Sequence, residues 1–192
     1  MRYTDRFDRA LALAVSAFRD IERKGTAVPY ITHLMSVTAM VGEAGGDEDQ
    51  LCAAILHDYL EDIEGSRPRD VEAVFGANVL RMVEELSDTT AFPKPPWRPR
   101  KEAFIERMRV AGADVRLICC ADKHHNARSI IRALSQEGLA AFDRFSGGLD
   151  GTLWYYRAVT DALSEGWSHW LLDELHAEVA KMHQEAQALL HP

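Results

Sequence analysis

The sequence predicts an all-α fold, and three observations support this class. Apolar residues recur at steps of three and four through residues 5–23, where Phe7, Leu11 and Phe18 fall on one face, and this spacing is the helical period. Glycine or proline follows most such segments and marks a helix end. No segment keeps the period-two alternation of a half-buried strand. A single-domain helical bundle with additional C-terminal helices is therefore the expected fold.

The first three helices follow from these patterns. We predict the first over residues 5–23, because Arg23 and Lys24 precede a glycine, as basic residues do at a helix C-terminus. The second covers about residues 31–44, with His33 on its inward face, and stops at two glycines. The third begins at Asp47, whose carboxylate caps the helix while Gln50 stands at the capping-box position.

The third helix closes in a polar stretch, His57-Asp58-Tyr59-Leu60-Glu61-Asp62. If the helix runs on through this stretch, Asp58, Glu61 and Asp62 share one face, because residues three and four apart are neighbours. Carboxylates are disfavoured at this negative end of the helix dipole, so we expect a cation to compensate for them. A divalent metal would do so, and a frayed, solvated acidic helix end is the alternative.

The rest of the chain is also predicted to be helical, over residues 71–75, 78–86, 100–110 and 114–134, with two or more amphipathic helices in the last third. Residues 88–99 contain four prolines, so we predict a basic loop there. The helix of residues 114–134 has a polar stripe at helical spacing, formed by Asp122, His125, Asn126 and Ser129. We expect one domain over residues 1–192, with a core of about residues 5–135 and a C-terminal helical extension of about residues 136–192.

Charge and cysteine use exclude several classes of partner. The net charge of −8 argues against nucleic acid as the main ligand, because binding its backbone needs a dominant positive surface. The N-terminus lacks a signal-peptide pattern and no apolar run is long enough for a bilayer, so we predict a cytoplasmic protein without a membrane partner. Cys52 stands alone and Cys119 adjoins Cys120, which is typical of core thiols rather than of disulfides or a zinc ribbon.

Four residues on three predicted helices have metal-ligand chemistry, namely His33, His57, Asp58 and Asp122. Taken singly, each has a structural explanation, since a core histidine or a partnered aspartate is common. Together, two imidazoles and two carboxylates form a mixed nitrogen and oxygen set that suits Mn²⁺, Fe²⁺ or Zn²⁺. Such a set leaves coordination positions for water and a phosphate oxygen, which is the arrangement of metal-assisted hydrolysis.

The order of these motifs resembles a known family, the HD metal-dependent phosphohydrolases. More narrowly, it is similar to the hydrolase domain of the RelA/SpoT alarmone enzymes and to the stand-alone small alarmone hydrolases. The similar stretches lie within about residues 5–135 and are Arg23-Lys24-Gly25 with Pro29-Tyr30-Ile31-Thr32-His33, the block from His57 to Asp62, and Ala121-Asp122-Lys123-His124-His125-Asn126 with Arg128. The resemblance implies an α-helical domain, usually with Mn²⁺, that removes the 3′-pyrophosphate from guanosine tetra- or pentaphosphate.

The resemblance also implies roles for single residues. It makes His33, His57, Asp58 and Asp122 the metal ligands, and it matches Glu61 and Asp62 to the acidic pair that handles the attacking water. On the nucleotide side it matches Arg23 and Lys24 to the basic pair beside the nucleotide and Asn126 to an asparagine that contacts it. Lys123, next to Asp122, is a further substrate-binding candidate. The stretch from Lys94 to Lys101 has no counterpart in the family, and its cations form either a solvated loop or a phosphate clamp. We therefore include Arg98 and Arg100 among the substrate-binding candidates.

Three functions remain open at this point. The first is hydrolysis of a small phosphorylated nucleotide of the alarmone type. The second keeps the site but acts on a nucleoside monophosphate, NADPH or another phosphorylated metabolite. The third is a ligand-sensing module without turnover, against which the presence of all four ligands and both acids argues. The oligomeric state is open as well, and a homo-oligomer is compatible with the sequence.

Overall fold

The computed structural model of the chain describes residues 3–91 and 93–191, and within these ranges it contains helices and no strand. The all-α prediction is confirmed. The α-helices of the described residues are α1 (Asp5–Ala17), α2 (Ile31–Glu43), α3 (Glu48–Leu56), α4 (Tyr59–Asp62), α5 (Pro68–Phe75), α6 (Ala77–Leu86), α7 (Trp97–Val110), α8 (Ala113–Glu137), α9 (Gly148–Leu163) and α10 (Trp170–Leu190). A short 3₁₀ helix, Gly138–Phe142, precedes α9.

The chain divides into two compact units. The first consists of residues 1–95 and 111–119, and the second of residues 96–110 and 120–192. Helix α8 contributes its first residues to the first unit and the rest to the second. The expected single domain with a C-terminal extension from about residue 136 stays a prediction.

Helix α3 is the central element of the first unit. It packs against α1, α2 and α6, and its residues from Cys52 to Leu56 are all buried. The predicted capping box is present: the Asp47 carboxylate accepts a hydrogen bond from the Gln50 backbone, and the Gln50 side chain accepts one from the Asp47 backbone. These two bonds satisfy N–H groups that the first turn of a helix leaves without partners. The start of α3 is thereby defined, and its last turn delivers His57 to the interior.

The predicted extent of the first helix is wrong, because α1 ends at Ala17 and not near residue 23. Residues 21–30 instead form a small antiparallel turn. The backbone N–H of Arg23 donates to Val28 O at 2.8 Å, and that of Tyr30 donates to Ile21 O at 2.8 Å. These pairings take the backbone groups that a longer helix would have used, and helical periodicity does not reveal them. The turn places Tyr30 directly before α2.

The predicted loop over residues 88–99 is wrong at its end, because α7 already begins at Trp97. Pro99 lies in the first turn of α7, where a backbone N–H has no partner within the helix, so its missing donor costs little. Trp97 anchors this turn by packing against the 147–151 segment. A Cβ added at Gly147 would lie 2.7 Å from the indole ring, and only glycine allows this contact. Arg98 and Arg100 are therefore helical residues.

The second unit contains α7, the larger part of α8, the 3₁₀ helix, α9 and α10, with α7 packed on α9 and α9 on α10. Its buried apolar side chains include Phe104, Val159 and Leu175. All three cysteines of the chain are buried free thiols, as the sequence predicts. Among the described residues, no helix has both the length and the apolarity needed to cross a membrane.

Candidate metal centre

Three of the four predicted metal ligands meet in the first unit. Ligand atoms of His33, His57 and Asp58 all lie within 4.8 Å of one another. Asp58 Oδ2 is 3.0 Å from His57 Nε2 and 3.8 Å from His33 Nε2. Both imidazoles are buried, while the Asp58 side chain is 18% exposed. The cluster is thus enclosed on the imidazole side and reachable on the carboxylate side.

A break in the helix creates this cluster. α3 ends at Leu56, the residues His57 and Asp58 form a turn, and α4 begins at Tyr59. The predicted continuation of the third helix through residue 62 is therefore absent, although Asp58, as the N-cap of α4, keeps the helical spacing to Glu61 and Asp62. Asp58 instead begins a new helix, and its carbonyl accepts the Asp62 N–H at 2.9 Å. The turn lets neighbouring residues direct an imidazole and a carboxylate to the same point.

The hydrogen bonding of His57 suits a metal ligand. Its Nδ1 lies 2.7 Å from the carbonyl oxygen of Ala54, and because a carbonyl only accepts, Nδ1 holds the proton. The lone pair is then on Nε2, which faces Asp58. Histidines that bind metals commonly donate their other N–H to a carbonyl in this way. Two imidazole nitrogens and a carboxylate form a donor set that fits a divalent ion such as Mn²⁺, Fe²⁺ or Zn²⁺.

Tyr30 touches this cluster and was not predicted to take part in it. Its hydroxyl donates to Asp58 Oδ2 at 2.7 Å, and its ring lies edge-on to His33 at 5.6 Å between centroids. Burial, reinforced by the negative charge of Asp58, raises the pKa of Tyr30. The sequence contains two hints: Tyr30 stands three residues before His33, about one helical turn away, and it belongs to the Pro29-Tyr30-Ile31-Thr32-His33 stretch that resembles the family.

The acidic pair lies on α4, with a lysine between the two carboxylates. Lys94 Nζ donates to Glu61 Oε1 at 3.0 Å and to Asp62 Oδ1 at 2.7 Å, so this cation offsets their mutual repulsion. Burial raises the pKa of Glu61, and the charges of Asp88 and Asp58 raise it further. Burial also raises the pKa of Asp62, with Asp58 adding to the effect and Lys94 opposing it. Carboxyls with raised pKa values are suited to proton transfer near neutral pH.

Two of the predicted substrate-binding cations follow α1. The Arg23 guanidinium lies 5.6 Å from the centroid of the Tyr30 ring, and Arg23 is half-buried. Lys24 is exposed at the tip of the turn. The first unit therefore places Arg23 against the residue whose hydroxyl reaches the metal cluster.

Asp122, the fourth predicted ligand, lies on α8 in the part that belongs to the second unit. It is 7% exposed, and both of its carboxylate oxygens accept hydrogen bonds. Lys123 Nζ donates to Oδ2 at 2.6 Å, and Asn126 Nδ2 donates to Oδ1 at 2.6 Å. Lys123 also lies over the ring of Phe104 at 5.1 Å. Both candidate substrate-binding residues of α8 thus hold the carboxylate in one orientation.

The cations of α7 are held by aromatic and acidic side chains of the same unit. The Arg98 guanidinium lies 3.3 Å from the ring centroid of Trp154, and its Nε donates to Glu102 at 2.7 Å. Arg98 is exposed, whereas Arg100 is half-buried. A guanidinium stacked on an indole keeps edge N–H groups for an anion.

The HD domain family matches residues 10–151 of the sequence. The chain belongs to this family. Its HD domain is also similar to the solved structure of a metazoan orthologue of SpoT that hydrolyses ppGpp, with a TM-score of 0.76, 26% identity, and coverage of 94% of this chain and 97% of that one. A second solved structure, lmo0812 from Listeria monocytogenes EGD-e, has a TM-score of 0.70 and 28% identity and covers 79% of this chain and 99% of that one.

Curated relatives of the HD domain bear alarmone-hydrolase names. The guanosine-3′,5′-bis(diphosphate) 3′-pyrophosphohydrolase MESH1 of Drosophila melanogaster is 33% identical over 128 residues, which are 65% of this chain and 69% of that protein. The bifunctional (p)ppGpp synthase/hydrolase SpoT of Escherichia coli is 35% identical over 115 residues, or 57% of this chain. This chain spans only 16% of the length of that SpoT protein.

Proposed function

We propose that this chain is a metal-dependent hydrolase that removes the 3′-pyrophosphate from guanosine 3′,5′-bis(diphosphate). The main support is the meeting of His33, His57 and Asp58 at one point, with Glu61 and Asp62 on the next helical turn. The similarity to MESH1 supports the choice of substrate. HD phosphohydrolases use divalent metals, and the donor set of the cluster is suited to them.

We propose that His33, His57, Asp58 and Asp122 hold the ion and that Mn²⁺ is the native one. When bound, such an ion supplies a Lewis acid for a phosphate oxygen and makes a water molecule more acidic. Hydrogen bonds within the chain orient the proposed metal ligands before an ion binds. The Ala54 carbonyl fixes the protonation of His57, and Lys123 and Asn126 fix both oxygens of Asp122.

The acidic pair moves the protons of the reaction. The oxygen of water forms a bond to phosphorus, the bond from that phosphorus to the ribose 3′ oxygen breaks, and pyrophosphate leaves. One carboxylate of the Glu61 and Asp62 pair accepts a proton from the water, and the other carboxyl protonates the 3′ oxygen. Burial raises the pKa of both groups, and because two neighbouring carboxylates repel each other, one member can stay protonated while the other is ionised. Lys94 keeps the two groups close together.

The nucleotide is expected to be bound by cations, because a guanosine bis(diphosphate) is strongly anionic. Arg23 and Lys24 are our candidates in the first unit, and Lys123, Asn126, Arg98 and Arg100 are those in the second. We also retain a cytoplasmic location as a proposal, to which the three reduced cysteines are suited.

We expect the protein with added Mn²⁺ to convert guanosine 3′,5′-bis(diphosphate) into GDP and pyrophosphate. The measurement is chromatography of the products from a panel that also contains a nucleoside monophosphate and NADPH. Phosphate release from NADPH with no turnover of the guanosine compound would identify a different phosphatase. Mn²⁺ binding without turnover of any member of the panel would identify a ligand-sensing module.

We expect the double variant Arg98→Ala with Arg100→Ala to raise KM while leaving kcat nearly unchanged, because these cations contact the substrate and not the reacting atoms. Loss of the Trp154 contact should lower stability by about 0.5–1 kcal/mol, the range of an exposed cation–π pair. The matched control is Arg67→Ala with Arg69→Ala, which removes two exposed cations near Asp70. Equal KM values for the two double variants would show that Arg98 and Arg100 are ordinary surface residues.

A further inference from the structure

The ring of Tyr30 is held on two sides by neighbours of the first unit. Phe18, which is fully buried, stacks on it with 5.2 Å between centroids and 15° between planes. The guanidinium of Arg23 lies 5.6 Å from the same ring. His33 meets the ring edge-on. Because aromatic and cation–π contacts of this kind favour defined orientations, the direction of the phenol C–O bond is well determined.

The hydroxyl at the end of this ring has one strong acceptor. It donates to Asp58 Oδ2 at 2.7 Å, and this is the same oxygen that lies 3.0 Å from His57 Nε2 and 3.8 Å from His33 Nε2. Asp62 Oδ2, at 3.5 Å, stands at the outer limit of a hydrogen bond. Asp58 is the N-cap residue of α4, but its side chain makes no capping hydrogen bond to that helix. Capping therefore does not fix the orientation of the Asp58 carboxylate.

We infer that Tyr30 is a positioning residue for Asp58, and that its hydroxyl sets the affinity of the His33, His57 and Asp58 cluster for a divalent cation. A carboxylate on a flexible side chain loses rotational freedom when it binds an ion. A donor on a rigid ring that already holds the carboxylate removes part of this cost before binding. The inference rests on the proposed function only in that the cluster binds the ion.

The placement of Arg23 extends this role to the substrate side of the site. Arg23, which is proposed to bind the nucleotide, contacts the ring of Tyr30, and the hydroxyl of that ring donates to Asp58, a proposed metal ligand. A substitution that shifts the Tyr30 ring would disturb both the contact with Arg23 and the hydrogen bond to Asp58. Tyr30→Phe separates them, since it keeps the ring, its stack on Phe18 and its contact with Arg23 and removes only the hydroxyl.

The test is the Mn²⁺ dissociation constant of Tyr30→Phe, measured by isothermal titration calorimetry on the full chain. Loss of a hydrogen bond to a metal ligand typically weakens binding by about 10- to 100-fold, and we expect a change in this range. At saturating Mn²⁺ most of the turnover should return, because the acidic pair is intact. The matched control is Tyr59→Phe, next to Asp58 in sequence, since the charged groups that act on Tyr59 are Asp70 and Arg67. It should keep the wild-type affinity.

Three results would overturn the inference. If Tyr30→Phe binds Mn²⁺ with wild-type affinity, the inference about Tyr30 is wrong, but the proposed metal site is unaffected. Turnover that stays low at saturating Mn²⁺ would also overturn it, since Tyr30 would then act in the chemistry through Asp62. A wild-type protein that binds no Mn²⁺ would overturn the proposed metal site and this inference together. Near-ultraviolet circular dichroism of the metal-free variants confirms that each is folded.

Discussion

Asp58→Ala is expected to abolish Mn²⁺ binding and hydrolysis together. Asp58 supplies the carboxylate of the His33, His57 and Asp58 cluster, and its Oδ2 faces both imidazoles; without it, Asp122 alone among the four proposed ligands would balance the charge of a divalent ion. If the ion binds only the folded protein, saturation at 100 times the dissociation constant adds about 2.7 kcal/mol to the free energy of unfolding. The wild type should show this gain and Asp58→Ala should not.

The measurement is urea unfolding with and without Mn²⁺, and the quantity compared is the difference between the two conditions. Any effect of Asp58→Ala on the fold itself cancels in this difference. Asp70→Ala is the control, because Asp70 is a half-exposed carboxylate paired with Arg67 and is not a member of the cluster. It should keep the full gain. An undiminished gain in Asp58→Ala would show that the ion binds elsewhere.

The candidate ligands could be found from the sequence because their chemistry is distinctive and partly local. His57 and Asp58 are adjacent, and the buried helix before them is evident from its apolar residues and its capping box. The position of His33 on the inward face of α2 follows from helical periodicity in the same way, and it is fully buried in the structure. Short-range spacing is therefore enough to predict the candidate ligand types.

The partners of these residues could not be found, because they are distant in the chain. Tyr30 and Asp58 are 28 positions apart, and Lys94 and Glu61 are 33 apart. A compensating cation was expected beside the acidic pair, but no local pattern marks Lys94 as that cation. The turn at residues 21–30 and the early start of α7 depend on long-range backbone pairing and on packing of Trp97 against glycine. The periodicity of residues within one helix does not predict such long-range contacts.

Glu61→Gln is expected to keep the metal and to lose turnover. Glu61 lies one turn beyond the His57–Asp58 break, and its carboxylate is held by the Asp88 N–H at 2.9 Å and by Lys94. The amide of glutamine has nearly the same shape and can still accept a hydrogen bond, but it cannot take up or release a proton at this pH. General acid–base groups contribute about 10²- to 10⁴-fold to rate. We expect kcat to fall by this factor with little change in KM.

The pH dependence should separate the two acids of the pair. Since burial raises the pKa of both Glu61 and Asp62, the wild-type kcat should rise with pH as the base ionises and fall again as the acid loses its proton. Glu61→Gln removes one of these groups, so one limb of the profile should disappear. Glu64→Gln, at an exposed position on the same stretch, is the control and should keep both limbs. If Glu61→Gln loses Mn²⁺ in calorimetry, Glu61 is a ligand, and the division between metal binding at Asp58 and proton transfer at Glu61 is wrong.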